Sequence, residues 1–172
     1  MRRHVALVGF MASGKSTIGR KLARRLGYPF VDTDALVVRS HGPIPAIFDS
    51  EGEAAFRRYE REAIAQALES DEASVIALGG GALTVAANRE LLQDRAYRVF
   101  IKISAEQIIS RVRHGRERRP VLGANPTLAR VKELYKIRMP QYASADRVIE
   151  AERRNDRDVI DEIVQWLREK GE

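Results

Sequence analysis

Short apolar runs alternate with amphipathic segments along this chain, a pattern that predicts a parallel α/β sheet. Val5–Val8 reads as a central strand, and Thr17–Leu26 as the helix after it, closed by Gly27 as a C′ residue. Tyr28–Val31 predicts a second short strand, ending at Asp32-Thr33-Asp34. Ser74–Leu78 predicts a third, running into Gly79-Gly80-Gly81, and Arg98–Ile103 a fourth. Ser104-Ala105-Glu106-Gln107 then has the S-x-x-Q spacing of a helix-opening capping box. Arg147–Ile149 supplies a fifth strand and Asp158–Leu167 a closing amphipathic helix. Three strands end in glycine-rich or acidic turns, at Gly9, Asp32 and Gly79, so a site is expected along one edge of the sheet.

Two helical segments carry charge where apolar residues belong. From Glu53 to Glu69, residues Phe56, Ala63, Ile64, Ala67 and Leu68 share one face. At ~100° per residue, Arg57 and Glu60 fall in that sector, whereas Arg58, Glu62 and Gln66 point away. Burying an unpaired charge is costly, so Arg57 and Glu60 either pair, line a polar cavity, or do both; an ordinary surface i, i+3 pair is the alternative. Between Pro126 and Met139, Leu128, Val131, Leu134 and Tyr135 make the apolar face, and Arg138 aligns with Val131. An inward Arg near a helix end serves either as a helix-dipole partner or as a bidentate clamp on a carboxylate or phosphate. Two inward arginines on separate helices imply an anionic second substrate.

The first substrate is a nucleotide. Gly9-Phe10-Met11-Ala12-Ser13-Gly14-Lys15-Ser16-Thr17 spells G-x-x-x-x-G-K-S between a strand and a helix, which aims backbone N–H groups and a helix N-terminus at one phosphate-sized point. Lys15 is placed to reach the β- and γ-phosphates and Ser16 to offer its hydroxyl to Mg²⁺. A chance glycine turn would not bring both glycines, Lys-Ser and correct flanks together. Asp32 and Asp34 follow a strand two residues apart. One suits Mg²⁺, directly or through water, and the other suits an attacking hydroxyl, although an Asp N-cap on a helix at Ala35–Arg39 accounts for one of them. Gly79-Gly80-Gly81 permits positive φ and close backbone approach to a ligand; a merely floppy turn is the alternative.

Composition narrows the class. At 172 residues with 44% apolar and 31% charged side chains, the chain is expected to be one globular domain. No run approaches the ~20 apolar residues of a membrane span, and Met1-Arg2-Arg3-His4 leads straight into a strand, so neither a membrane association nor a signal peptide is expected. The absence of cysteine excludes disulfides and thiolate chemistry, and three scattered histidines disfavour a histidine-built metal site. A cytoplasmic enzyme fits. The net charge of +6 is uneven: Arg111, Arg113, Arg116, Arg118 and Arg119 cluster with no aromatic residue between them. That favours a phosphate-handling loop over a nucleic-acid track, which would want stacking rings.

Taken together, GFMASGKST (9–17), DTD (32–34), IFDSEGEAAFRRYE (47–60), LGGGA (78–82), RRPVL (118–122) and RMPQY (138–142) with Ala145-Asp146 following resemble the shikimate kinase family over nearly the whole chain. The resemblance implies an α/β P-loop kinase with three layers, a central five-stranded parallel sheet like that of nucleoside monophosphate kinases, a substrate-binding insert at about 32–61 and a mobile lid at about 112–124. It implies phosphoryl transfer from ATP, with Mg²⁺, to the 3-hydroxyl of shikimate in aromatic amino-acid biosynthesis. By that likeness Lys15 stabilises the transferring group. Ala12, Ser13, Gly14, Lys15, Ser16 and Thr17 bind ATP, and Ser16 and Asp32 hold the metal, Asp32 through water. Asp34 binds the shikimate hydroxyls and accepts the proton. Arg57 and Arg138 take the carboxylate, Glu60 steadies Arg57, and Gly79, Gly80 and Gly81 close around the substrate. Arg119 is the lid arginine, while Arg111 and Arg154 contact adenine. The chain departs from the family at Pro45, which predicts a later start for the helix there. A monomer is expected. A P-loop kinase for gluconate or a nucleoside monophosphate, and a regulatory nucleotide-binding module, are the rival readings.

Overall fold

The computed structural model describes residues 2–115 and 119–171. Arg116 and Arg118 of the arginine cluster, and with them part of the expected lid, lie outside the described residues. Five strands form one parallel sheet: β1 (His4–Val8), β2 (Phe30–Asp32), β3 (Val75–Ala77), β4 (Ala96–Lys102) and β5 (Arg147–Glu150), in the order β2-β3-β1-β4-β5. β1 is buried along its whole length because it lies between β3 and β4, with Val5 opposite both Val75 and Tyr97. Helices cover such a sheet, which is why these strands read as continuous apolar runs.

Helix α1 (Lys15–Leu26) begins inside the phosphate-loop motif and ends on Gly27 at φ 72°. There the Tyr28 amide donates back to Ala23 O at 2.9 Å and Gly27 to Arg24 O, a Schellman closure. Tyr28 therefore belongs to the helix ending, and β2 begins at Phe30, two residues later than the apolar pattern predicts. Helices α2 (Thr33–His41), α3 (Ile44–Ser50) and α4 (Gly52–Leu68) gather a small core of their own from Val37, Ile47, Phe56 and Ala63. Pro45 does not delay α3. It sits in the first turn, where a missing N–H costs no hydrogen bond.

After β3 come α5 (Ala86–Gln93) and, beyond β4, α6 (Ala105–His114) and α7 (Leu128–Ala143). Ser104 caps α6 by accepting from the Gln107 amide at 3.2 Å. The reciprocal arm of the expected box comes from elsewhere: Glu152 accepts from both the Ser104 amide and its hydroxyl. Helix α7 runs past the predicted end at Met139, with Pro140 in its last turn, and thereby carries Tyr142. Helix α8 (Asp156–Glu169) buries Val159, Ile160, Ile163, Val164, Trp166 and Leu167, and packs on α1. Among the described residues no helix is long and apolar enough to cross a membrane.

Candidate active site

The carboxyl ends of β1, β2 and β3 open into a cleft of about 970 Å³. Its floor at β1 is the phosphate loop. Gly9 and Gly14 take φ of 146° and 96°, and a Cβ on Gly9 would come within 2.7 Å of Ile101 O, so the loop needs glycine there. Ala12 is left-handed at φ 59°. Lys15 is 8% exposed and turns back into the loop, donating to Gly9 O at 2.8 Å and Phe10 O at 2.7 Å. Burial pulls its pKa down to about 8, against the pull of Asp34 and Asp32. Ser13 is buried beneath this ammonium, whereas Ala12, Gly14, Ser16 and Thr17 line the cleft.

The two aspartates diverge because α2 starts between them. Asp32 is the N-cap: Oδ1 accepts from the amides of Asp34 and Ala35, while Oδ2 accepts from Ser16 Oγ at 2.6 Å. A hydroxyl and a carboxylate of hard oxygens beside a phosphate loop fit Mg²⁺, which takes few protein ligands and keeps water and phosphate oxygens. Asp34 turns the other way, into the cleft. Burial first, and the nearby Asp32 second, push its carboxyl above the usual range. Thr33 between them is fully buried.

Helices α4 and α7 deliver to the cleft the charges that helical phase placed inward. Glu60 is 1% exposed and accepts from Arg57 Nη1 at 2.7 Å; Glu53 accepts from Arg57 Nη2 at 3.2 Å. Arg57 and Glu60 thus pair and line the cavity at once. Burial raises the Glu60 pKa, with Arg57 pulling it back. Arg138 is 4% exposed, its guanidinium 5.5 Å from the Phe10 ring centroid. Three buried atoms here have no partner among the described residues: Asp34 Oδ1, Glu60 Oε1 and Arg138 Nη1. Buried donors and acceptors are normally paired, so two orphan acceptors and an orphan cationic donor around one cleft mark a place prepared for a polar, anionic molecule.

The triple glycine lies between these groups. A Cβ on Gly79 would stand 2.6 Å from Glu60 Oε1 and 2.8 Å from Asp34 Oδ1, one on Gly80 2.9 Å from the Met11 amide, and one on Gly81 2.7 Å from Arg57 Nη1. Close approach favours glycine here, most strictly at Gly80, whose neighbour is backbone, whereas at Gly79 and Gly81 the neighbours are side-chain ends. None of the three takes the positive φ that the sequence permits.

Arg119, at the entry to the Pro120–Leu122 turn, lines the cleft and acts electrostatically on both Lys15 and Asp34. Arg111 lines it too, donating to Ala12 O at 3.0 Å. Arg154 does not. Its guanidinium donates to Glu162 at 2.7 Å and to the carbonyls of Glu150 and Asp158, so a contact with adenine would require it to leave Glu162. The sequence reading missed Arg20 and Arg39, which line the cleft from α1 and α2, and an apolar wall of Ile44, Pro45 and Phe48. The two arginines lie on exposed helix faces and gave no signal; the wall follows only from how α3 folds over the site.

Residues 11–168 match the family model described as shikimate kinase. The shikimate kinase of Symbiobacterium thermophilum is 44% identical over 172 residues, covering 98% of each chain. That of Geobacter sulfurreducens is 44% identical, covering 97% of this chain and 92% of its own. Among solved structures, shikimate kinase from Acinetobacter baumannii in complex with shikimate superposes with a TM-score of 0.92 at 35% identity, over 99% of this chain and 95% of that one. Matches of this extent, over a cleft with a phosphate loop at one end and an anion-ready pocket at the other, have one meaning: the chain belongs to the shikimate kinase family.

Proposed function

We propose that this protein transfers the γ-phosphoryl group of ATP to the 3-hydroxyl of shikimate, releasing ADP and shikimate 3-phosphate. The observation that carries the reading is the set of orphaned atoms on Asp34, Glu60 and Arg138, gathered across one cleft from the phosphate loop. A small polyhydroxylated acid satisfies those on Asp34 and Arg138: its carboxylate takes Arg57 and Arg138, and its hydroxyls take Asp34 and the glycine turn.

In the reaction the 3-oxygen forms a bond to the γ-phosphorus, the bond from that phosphorus to the β,γ-bridging oxygen breaks, and the hydroxyl proton passes to Asp34. The raised pKa of Asp34 suits it to that proton. Lys15 exchanges its loop carbonyls for phosphate oxygens and, with Arg119, balances the charge developing on the γ-phosphoryl group. Ser16 and Asp32 would hold Mg²⁺, which supplies charge neutralisation on the β- and γ-oxygens. Arg111, which lines the cleft beside Ala12, would contact adenine. The segment at about 32–61 acts as the substrate-binding insert of a single domain spanning 1–172. The arginine-rich segment at about 112–124 acts as a lid that keeps water from competing as acceptor. The protein acts as a cytoplasmic monomer, without nucleic-acid or membrane partners.

ADP release from ATP and Mg²⁺, with and without shikimate, tests this reading. Turnover is expected with shikimate and not with gluconate or a nucleoside monophosphate. Shikimate-independent hydrolysis, or equal use of another acceptor, would overturn it.

A further inference from the structure

A turn of three glycines has no side chains with which to hold itself, yet here it must keep its place to within a fraction of an ångström, with carboxylate oxygens and a guanidinium where its Cβ atoms would be. Its backbone is held from outside. Thr33, fully buried between the two aspartates, accepts from the Gly79 amide at 3.3 Å and donates to Ala77 O at 3.3 Å. Asp32 pairs with Ala77 in the β2–β3 ladder, so the Thr33 hydroxyl extends that ladder past the strand ends and ties the start of α2 to the turn. The other tie comes from α7. Tyr142, 2% exposed and with its ring stacked 5.0 Å from Phe100, donates its hydroxyl to Gly80 O. Burial pushes the phenol pKa up to about 12, so it remains a donor throughout the neutral range. Tyr142 lies one helical turn after Arg138, on the same face. Neither Thr33 nor Tyr142 lines the cleft. The Gly79 carbonyl is taken by Ala82 and that of Gly81 by Thr84.

We infer that Thr33 and Tyr142 are positioning residues whose hydroxyls clamp the triple-glycine turn, fixing the acceptor hydroxyl between Asp34 and the phosphate loop. The inference rests on the proposed acceptor for its kinetic consequence and on the geometry alone for the clamp. Each tie links the turn to an element bearing a substrate group: Thr33 to Asp34 through α2, and Tyr142 to Arg138 through α7. Loss of either hydroxyl lets the turn drift relative to that group while the phosphate loop, on β1 and α1, stays as it is.

The test compares Thr33→Val, Thr33→Ser and Tyr142→Phe with the wild type in shikimate-dependent ADP release, thermal melting and hydrogen exchange. Loss of the buried hydroxyl, which makes two hydrogen bonds at Thr33 and one to the turn at Tyr142, predicts that Thr33→Val and Tyr142→Phe each lower kcat/KM for shikimate at least about tenfold, with KM for ATP within about twofold. Thr33→Ser, which keeps the hydroxyl, restores most of the loss. A role limited to stability would instead depress both substrates together, in step with the loss of folded protein, and that result overturns the clamp. Should Tyr142→Phe fail to fold, the two Thr33 variants decide. Exchange of the Gly79 amide needs no acceptor: about tenfold faster exchange in Thr33→Val supports the clamp, and unchanged exchange overturns it even if shikimate proves to be the wrong substrate. A wild type without shikimate-dependent turnover, but with the faster Gly79 exchange in the variant, overturns the acceptor and leaves the clamp standing.

Discussion

Replacing Arg138 by methionine separates what this buried guanidinium does for the fold from what it does for a ligand. In the free protein two effects oppose each other. The cation against the Phe10 ring, 5.5 Å from its centroid, contributes about 0.5–2 kcal/mol. The orphaned Nη1 costs about 1–3 kcal/mol as an unmade buried bond. Methionine fills much of the same space without a polar head, so the net change is on the order of 1 kcal/mol in either direction, or about 2–4 °C in Tm at this chain length. With shikimate present the balance is different. A carboxylate on Arg138 makes two charge-assisted hydrogen bonds of about 1.5–3 kcal/mol each, so the variant is expected to bind at least about a hundredfold more weakly. Thermal unfolding against shikimate reads both quantities. At a hundred times its dissociation constant, shikimate adds about 2.7 kcal/mol to the wild type, raising Tm by about 5–11 °C. At the same concentration the Arg138→Met protein is near half saturation and shifts by about 1 °C. A variant that melts some 10 °C below wild type in buffer, or that follows the wild-type shift, would refute the assignment.

Asp34→Asn keeps the shape and removes the base, so kcat should fall by a hundredfold or more with KM for ATP little changed; near-normal turnover would remove Asp34 from proton transfer. Because the Asp34 pKa is raised, kcat should also fall on the acid side as pH drops through that value, and the acid limb should vanish in the Asn variant. In the proposed role Lys15 binds phosphate as a cation, and its pKa is about 8, so KM for ATP should rise as pH passes that value, and a flat profile from neutral to alkaline pH would contradict it. The stability consequence has the opposite sense. The folded value lies below the unfolded 10.5, so the unfolded chain holds more protons between the two, and stability should climb with pH across that window in thermal melts. Gly79→Ala would push a methyl group to 2.6–2.8 Å from Glu60 and Asp34, and should weaken shikimate binding more than ATP binding in steady-state kinetics.

Legibility in the sequence followed a simple physical line. A charge placed inside an apolar helical stripe is conspicuous, so Arg57, Glu60 and Arg138 could be read before any coordinates, and all three lie inward. The phosphate loop was legible because its spacing and flanks are local. Contacts between distant segments were not: the Glu152 arm of the α6 cap and the hydroxyl ties of Thr33 and Tyr142 depend on what the fold brings near. Helix α5 went unannounced because it is only eight residues long and its apolar contact with the core rests on Leu91 and Leu92, too short a run to set a helical period. The DTD segment shows both cases. The capping role and the inward role were each foreseeable, but which aspartate took which depended on α2 starting at Thr33.

The central claim is that Arg57, Arg138 and Asp34 hold an anionic acceptor with its alcohol toward the phosphate loop. It is tested most directly by kcat/KM for shikimate against shikimate methyl ester, measured in the wild type and in Arg138→Met. The wild type should favour the acid by about a hundredfold or more, and the preference should shrink to a few-fold in the variant, since the lost charge and the lost guanidinium are the same interaction. Equal use of acid and ester by the wild type, or an undiminished preference in the variant, would contradict the account.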